Sequence, residues 1–182
     1  MDFETVIEKI LTAFEKASIR YALMGGFALG VWGVHRTTVD IDFLIDRDDL
    51  EKANKIMSDL TYQCLHHTEN VSQYVSPLNI FGEVDFLHAF RSASRRMLER
   101  SEEKKIFGGR LTIRVLRPED LVGLKVQAMV NDKSRWTNDL ADIEGIMALH
   151  KAELDWSIIE EYFALFGLEE MGQELRRRYC GP

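Results

Sequence analysis

Two aspartates separated by one isoleucine, Asp40 and Asp42, stand inside the otherwise apolar run "TVDIDFLI". On a strand, side chains two apart face the same way, so both carboxylates would project from one face. Like charges that close repel each other, and burying them is unfavourable unless something compensates. A hard divalent cation does so, because Mg²⁺ and Mn²⁺ prefer carboxylate oxygens. "GEVDFL" supplies a third carboxylate, Asp85, between Val84 and Phe86, with Glu83 on its own face. Three carboxylates from two neighbouring strands can hold a pair of ions, the arrangement that clamps attacking and leaving oxygens in phosphoryl displacement.

A glycine pair, Gly25-Gly26, precedes these acids in "MGGFALGVWGVHRTTVDIDFLI". It ends one apolar segment and opens another, where backbone N–H groups free of side chains can meet a phosphate. The lysine and hydroxyl of a P-loop are missing, and "GGFALGVWG" lacks the dinucleotide fingerprint. A phosphate cradle beside metal-binding carboxylates implies a nucleoside triphosphate. Arg36 has two readings, neutralising the nearby acids or contacting phosphate. Thr37 and Thr38 are ordinary residues for a strand entry, with Thr38 also placed for nucleotide contact. The competing reading of Asp40 and Asp42, an edge strand with solvated acids, does not account for the glycine pair.

The elements that must position these residues follow from hydrophobic periodicity. Val6, Ile7, Ile10, Leu11 and Phe14 form a helical stripe over Thr5 to Lys16. "RYALM" reads as a strand stopped by the glycines, "FALGVWGV" as a short buried helix, and "TVDIDFLI" as a strand whose Val39, Ile41 and Phe43 fill its core face. "DDLEKANKIMSDL" predicts an amphipathic helix with Asp48 or Asp49 as N-cap. "YQCLHH", "SQYVS", "GEVDFLH" and "RLTIRVL" read as further strands. From Pro118 the character changes: "RPEDLVGLKVQAMV" has proline at the first helical position and acids in the first turn. "TNDLADIEGIMALH", "DWSIIEEYFALF" and "EEMGQELRRRY" follow as helices, the arginines suiting a helix C-terminus. Residues 1–117 are thus expected to form a mixed α/β half and residues 118–182 a helical half packed against it.

Composition bounds the function. The 182 residues are 46% hydrophobic and 29% charged, as in a soluble globular domain, with a net charge of −7. That balance disfavours a broad phosphate-gripping surface, so a nucleic acid would have to be held locally. Cys64 and Cys180 lack metal or redox spacing and suit a reducing cytosol. "MDFETVIEKI" starts a helix rather than a signal peptide, and no stretch is long and apolar enough to span a bilayer. The expected location is cytoplasmic. The five histidines, including His66-His67, lack zinc spacing. Trp32, Trp136 and Trp156 are read as core rather than stacking platforms.

A glycine pair, thirteen intervening residues and Asp-x-Asp in an apolar strand resemble the signature of the DNA polymerase β-like nucleotidyltransferase superfamily. Asp85 matches its third catalytic carboxylate. Within it, the Gly-Gly, small apolar helix, Arg-x-Thr and Asp-Ile-Asp are similar to the bacterial minimal nucleotidyltransferases, including toxins of abortive-infection (type IV) toxin–antitoxin systems. "LKVQAMVNDKSRWTNDLADI" extends the likeness: Lys125, Arg135, Asp139 and Asp142 occupy the places of that group's helical motif, with Asn138 where a lysine is often found. The resemblance runs from about Ile19 to His150 and implies an α+β fold: a mixed sheet with helices packed on it, carrying the carboxylates, followed by a C-terminal helical bundle.

The resemblance also implies roles. Gly25 and Gly26 would hold triphosphate oxygens, with Arg36, Thr38, Lys125 and Asp139 as further nucleotide contacts. Asp40 and Asp42 would bind Mg²⁺ or Mn²⁺, and Asp85 would complete that site and deprotonate or orient the acceptor. Lys125 sits beside the stripe of Leu121 and Ala128, where it either snorkels to water or points into a polar cleft. Asp139 would pair with it or with Arg135. The expected reaction moves a nucleotide from NTP to an acceptor hydroxyl on a protein side chain, an RNA 3′ end or a small molecule, with an antitoxin as a partner if the chain is a toxin. Two rivals stand beside it: a non-catalytic NTP- or partner-binding module, and a carboxylate-pair hydrolase such as a glycosidase.

Overall fold

The computed structural model describes residues 1–78 and 80–180. They divide into two compact units, Met1–Val31 with Arg36–Leu116, and Trp32–His35 with the chain from Arg117. The first unit begins with helix α1 (Phe3–Ala17), strand β1 (Tyr21–Met24), the short helix α2 (Gly25–Val31), β2 (Asp40–Asp46) and α3 (Leu50–Asp59). It continues through β3 (Gln63–His67), β4 (Val71–Val75), β5 (Glu83–Ala89), α4 (Ser92–Glu99), β6 (Glu102–Ile106) and β7 (Leu111–Val115). The seven strands form one mixed sheet in the order β3-β4-β5-β2-β1-β7-β6. The α+β class read from the sequence is the class observed.

The centre of that sheet fixes the acids. β2 and β5 are parallel neighbours, with Phe43 opposite Phe86 and Asp42 opposite Asp85. Helix α1, started by the Asp2 carboxylate accepting from the Thr5 amide at 3.2 Å, buries Val6, Ile7, Ile10 and Phe14. The Phe14 ring lies 5.7 Å from that of Phe43 and 6.1 Å from that of Phe86. Because side chains alternate along a strand, seating Phe43 and Phe86 on Phe14 turns Asp42 and Asp85 to the opposite face. A one-residue slip would put the acids on the phenylalanines, so the register is strongly specified.

Two expectations need correction. Val39 does not fill the core face: it precedes β2 and is 74% exposed. Asp49 occupies the N-cap position of α3 but makes no side-chain cap there. Its carboxylate accepts instead from the Arg20 amide at 3.1 Å and from Arg20 Nε at 3.0 Å, a charge-assisted pair stronger than a cap. Helix α4 and strand β6 have no counterpart in the sequence reading.

The described residues of the second unit form the α-helices α5 (Pro118–Asn131), α6 (Trp136–His150), α7 (Trp156–Leu165) and α8 (Glu169–Cys180). Gly123 lets α5 and α7 approach closely, since a Cβ there would lie 2.6 Å from the Tyr162 ring. The Tyr162 hydroxyl donates to the buried Asp120 carboxylate at 2.7 Å. Two members of the arginine run tie helices together: Arg176 pairs with Glu160 at 2.8 Å, and Arg178 pairs with Glu144 and Glu174. No described helix is long and apolar enough to cross a membrane.

Candidate active site

Asp40, Asp42 and Asp85 each offer one carboxylate oxygen to a group whose members all lie within 4.8 Å of one another. Asp40 and Asp42 come from the first half of β2, where Ile41 and Phe43 are fully buried between and beyond them. All three acids are part-exposed, which leaves their oxygens within reach of a ligand. Three hard oxygens at this spacing fit a divalent cation of the Mg²⁺ or Mn²⁺ type.

Neutral donors hold two of the three. Thr38 donates its hydroxyl to Asp40 Oδ1 at 2.7 Å, which fixes that carboxylate from the strand entry. Gln73, paired with Asp85 in the β4–β5 register, donates its side-chain amide to Asp85 Oδ2 at 3.1 Å. Burial pushes the Asp85 carboxyl above the usual carboxylate range, and the charges of Asp40 and Glu83 push the same way, against the Gln73 hydrogen bond. Half-desolvated and beside like charges, Asp85 holds a proton more readily than an ordinary carboxylate does.

The glycine pair fits around these acids. Gly25 has φ +67°, a left-handed conformation, and a Cβ there would stand 1.9 Å from Asp42 Oδ2. Glycine is required twice, for the backbone and for the space that Asp42 occupies. Gly26 is buried against Thr38, whose Oγ1 would be 2.8 Å from an added Cβ. Since α2 has only seven residues, the pair offers bare backbone and close approach rather than a long helix dipole. Arg36, exposed, and Thr38 stand on the loop that covers Gly26.

In the helical unit, the sequence motif gathers into one cluster. Lys125 Nζ, buried, lies 2.7 Å from Asp139 Oδ1 and 2.7 Å from Asp142 Oδ2. Arg135 Nε donates to the other oxygen of Asp139 at 2.9 Å. Burial alone would raise the Asp139 carboxyl, but the bonds from Arg135 and Lys125 outweigh it and hold it below its ordinary value. Asp139 therefore pairs with both cations. Gln73 was not among the residues singled out from sequence. Its only signal is the alternation of "SQYVS", which sets Gln73 on the face opposite the buried Ser72 and Tyr74.

Comparison with known proteins agrees with this fold. The solution structure of the antibiotic-resistance factor ANT(2'')-Ia superposes with a TM-score of 0.69 at 17% identity, covering 98% of this chain and 99% of that one. The lincomycin-bound lincosamide antibiotic adenylyltransferase LnuA gives 0.55 at 18% identity, over 80% of this chain and 97% of that one. An antigenic nucleotidyltransferase-like protein from Paracoccidioides brasiliensis gives 0.59 at 16% identity, over 98% and 93%. At these identities the likeness is one of fold. No curated protein sequence matches the chain. The model of the family described as "Uncharacterised nucleotidyltransferase" matches residues 3–177, and the chain belongs to that family.

Proposed function

We propose that this nucleotidyltransferase transfers a nucleoside monophosphate from an NTP to an acceptor hydroxyl, using a divalent cation bound by Asp40, Asp42 and Asp85. The observation that carries the reading is the meeting of three carboxylate oxygens within 4.8 Å beside a glycine that leaves no room for a side chain. Bound there, Mg²⁺ or Mn²⁺ would neutralise charge on the reacting phosphate oxygens. Asp85 takes the hydrogen of the acceptor hydroxyl as the new O–P bond forms at the α-phosphorus. The bond from that phosphorus to the bridging oxygen breaks, and pyrophosphate leaves. Gly25 and Gly26 admit the triphosphate against backbone, and Arg36 and Thr38 contact its oxygens. Catalysis then rests on positioning and charge neutralisation.

A small-molecule hydroxyl is the acceptor class that the structural neighbours favour. ANT(2'')-Ia is known in complex with adenylyl-2''-tobramycin, at a TM-score of 0.66 and 15% identity. A toxin role is the finer part of the proposal, supported by the Arg-x-Thr and Asp-Ile-Asp likeness. The test is incubation of the purified protein with each α-labelled NTP, Mg²⁺ and a cell extract. Transfer of label to one acceptor, with stoichiometric pyrophosphate and dependence on the metal, is expected. Metal-dependent NTP binding without any transfer would make the chain a binding module. The absence of metal-dependent NTP binding would remove the reading.

A further inference from the structure

The edge of the sheet formed by β3 carries a hydrogen-bonded chain on the face opposite Gln73 and Asp85. Ser72, fully buried on β4, has its hydroxyl oxygen 2.8 Å from Nδ1 of His67 and 2.9 Å from Nε2 of His88. His67 is exposed on the outermost strand, whereas His88 on β5 is buried. Nδ1 of His88 lies 2.9 Å from the carbonyl oxygen of Glu69, in the β3–β4 turn.

A carbonyl only accepts, and that assigns the protons along the chain. His88 donates from Nδ1 to Glu69, so in the neutral ring Nε2 is bare and takes the Ser72 hydroxyl proton. The Ser72 oxygen then accepts from His67 Nδ1–H. Protonating His88 reverses the order: its Nε2–H donates to the Ser72 oxygen, and the hydroxyl proton turns to a bare Nδ1 on neutral His67. A proton passes between the two arrangements when His67 gives its Nδ1 proton to the Ser72 oxygen and Ser72 gives its own to His88. Two protonated rings fit poorly, because their centroids are 5.7 Å apart and both would aim an N–H at one hydroxyl.

The surroundings also oppose a second charge. Burial holds the His88 imidazole below its ordinary value, and His67 and Arg47 push the same way, against the hydrogen bond to the Glu69 carbonyl. The Glu69 carboxylate is itself drawn to Arg47, at 3.0 Å. Burial raises the Tyr74 hydroxyl, on the same face of β4, which therefore stays neutral. Ile45 of β2, opposite His88, adds no charge.

We infer that His67, Ser72 and His88 form a one-proton relay that clasps edge strand β3 to the sheet and releases it as pH falls. Closed, the chain holds one added proton readily; with β3 peeled away, each imidazole takes its own. The closed form thus binds fewer protons, and its stability is lost below the ordinary histidine value. Opening of β3 should become about tenfold more favourable per pH unit below about 6.5, until the closed form takes its second proton.

The test follows the histidine ¹⁵N resonances and amide hydrogen exchange of the whole chain from about pH 8 to about pH 5. Neutral His67 is expected as the Nδ1–H tautomer, with the two rings titrating in steps more than about one pH unit apart. Protection of the β3 amides should fall about tenfold per pH unit below about pH 6.5, while that of β1 stays level. His67→Asn keeps an N–H donor on an exposed position but takes no proton. It should leave a single step at higher pH than the second step of the wild type, and shorten the range over which β3 loosens. Ser72→Ala should release His67 from the Nδ1–H tautomer. Neutral His67 found as the Nε2–H tautomer, a His88 titration indifferent to His67→Asn, or β3 protection that stays level throughout would each overturn the inference.

Discussion

Both units of this protein bring carboxylates close together, and they treat them in opposite ways. In the helical unit, Lys125 sits between Asp139 and Asp142, and Arg135 takes the remaining oxygen of Asp139. The charges are resolved inside the fold. In the sheet unit, Asp40 and Asp85 are held by a hydroxyl and an amide, donors that orient a carboxylate without adding charge. Burial raises the Asp85 carboxyl, against the bond from Gln73, whereas the bonds from Arg135 and Lys125 outweigh burial and lower that of Asp139. An acid cluster already neutralised by cations contributes to stability. Acids oriented by neutral groups, as Thr38 orients Asp40 and Gln73 orients Asp85, keep their affinity for a metal ion.

The strongest way to break this contrast is to remove a charge from the sheet cluster. Asp42→Asn keeps the shape of the side chain beside Gly25 and relieves repulsion within the group. The metal-free variant is expected to stay folded, while nucleotidyl transfer falls on the order of 10²–10³-fold. The rise in melting temperature that Mg²⁺ with NTP gives the wild type should vanish. If the variant unfolds instead, Asp42 is a structural acceptor and the two clusters are of one kind.

Removing a charge from the helical cluster should do the reverse. Lys125→Met preserves the apolar stem but leaves Asp139 and Asp142 buried without the ammonium between them. Breaking a buried pair in this way destabilises by about 3 kcal/mol, read as a lower urea midpoint at unchanged slope. The pH dependence follows from the direction of the Asp139 shift. A carboxyl lowered in the folded state contributes stability above its unfolded value of 3.8, and that contribution is lost as pH falls through the folded value. The wild-type midpoint should therefore drop as pH falls from about 5 to below the folded Asp139 value, and Arg135→Gln should flatten the drop. An unchanged acid profile would mean that Asp139 is not stabilised by its partners.

What could be read from sequence tracks how local each signal is. Helix α1 and strand β2 follow from their own periodicity, because Ile7, Ile10 and Phe14 recur on one face and Ile41 and Phe43 alternate with acids. The meeting of Asp40, Asp42 and Asp85 required one non-local step, the pairing of β2 with β5. Helix α4 escaped notice because only Met97 and Leu98 of its eight residues are buried. Strand β6, "EEKKI", is the charged edge of the sheet, and edge strands carry such residues to resist pairing with other chains. The diversion of Asp49 from its cap depended on Arg20, 29 residues away in sequence. Local patterns located the acids, and long-range contacts decided what each one does.

The smallest expected effect tests how a neutral donor orients an acid. Gln73 reaches Asp85 only because β4 lies antiparallel to β5 with those two residues opposite each other. Its amide adds no charge, so it can fix the direction of the carboxylate while leaving its attraction for a cation intact. Gln73→Leu keeps a side chain of similar size on the exposed face and removes the hydrogen bond. A bond to a charged group contributes about 1.5 kcal/mol, so Mn²⁺ affinity, followed by the paramagnetic resonance of the free ion, should fall roughly tenfold. Melting of the metal-free variant should barely change, since the lost bond lies at a part-exposed carboxylate. Gln73→Glu would add a fourth acid in the same place and is expected to retain metal binding while raising repulsion without metal. A Leu variant with wild-type Mn²⁺ affinity would show that Asp85 is aimed by the strand register alone. The sheet cluster would then owe its geometry to backbone pairing, in contrast to the side-chain pairing that holds Asp139.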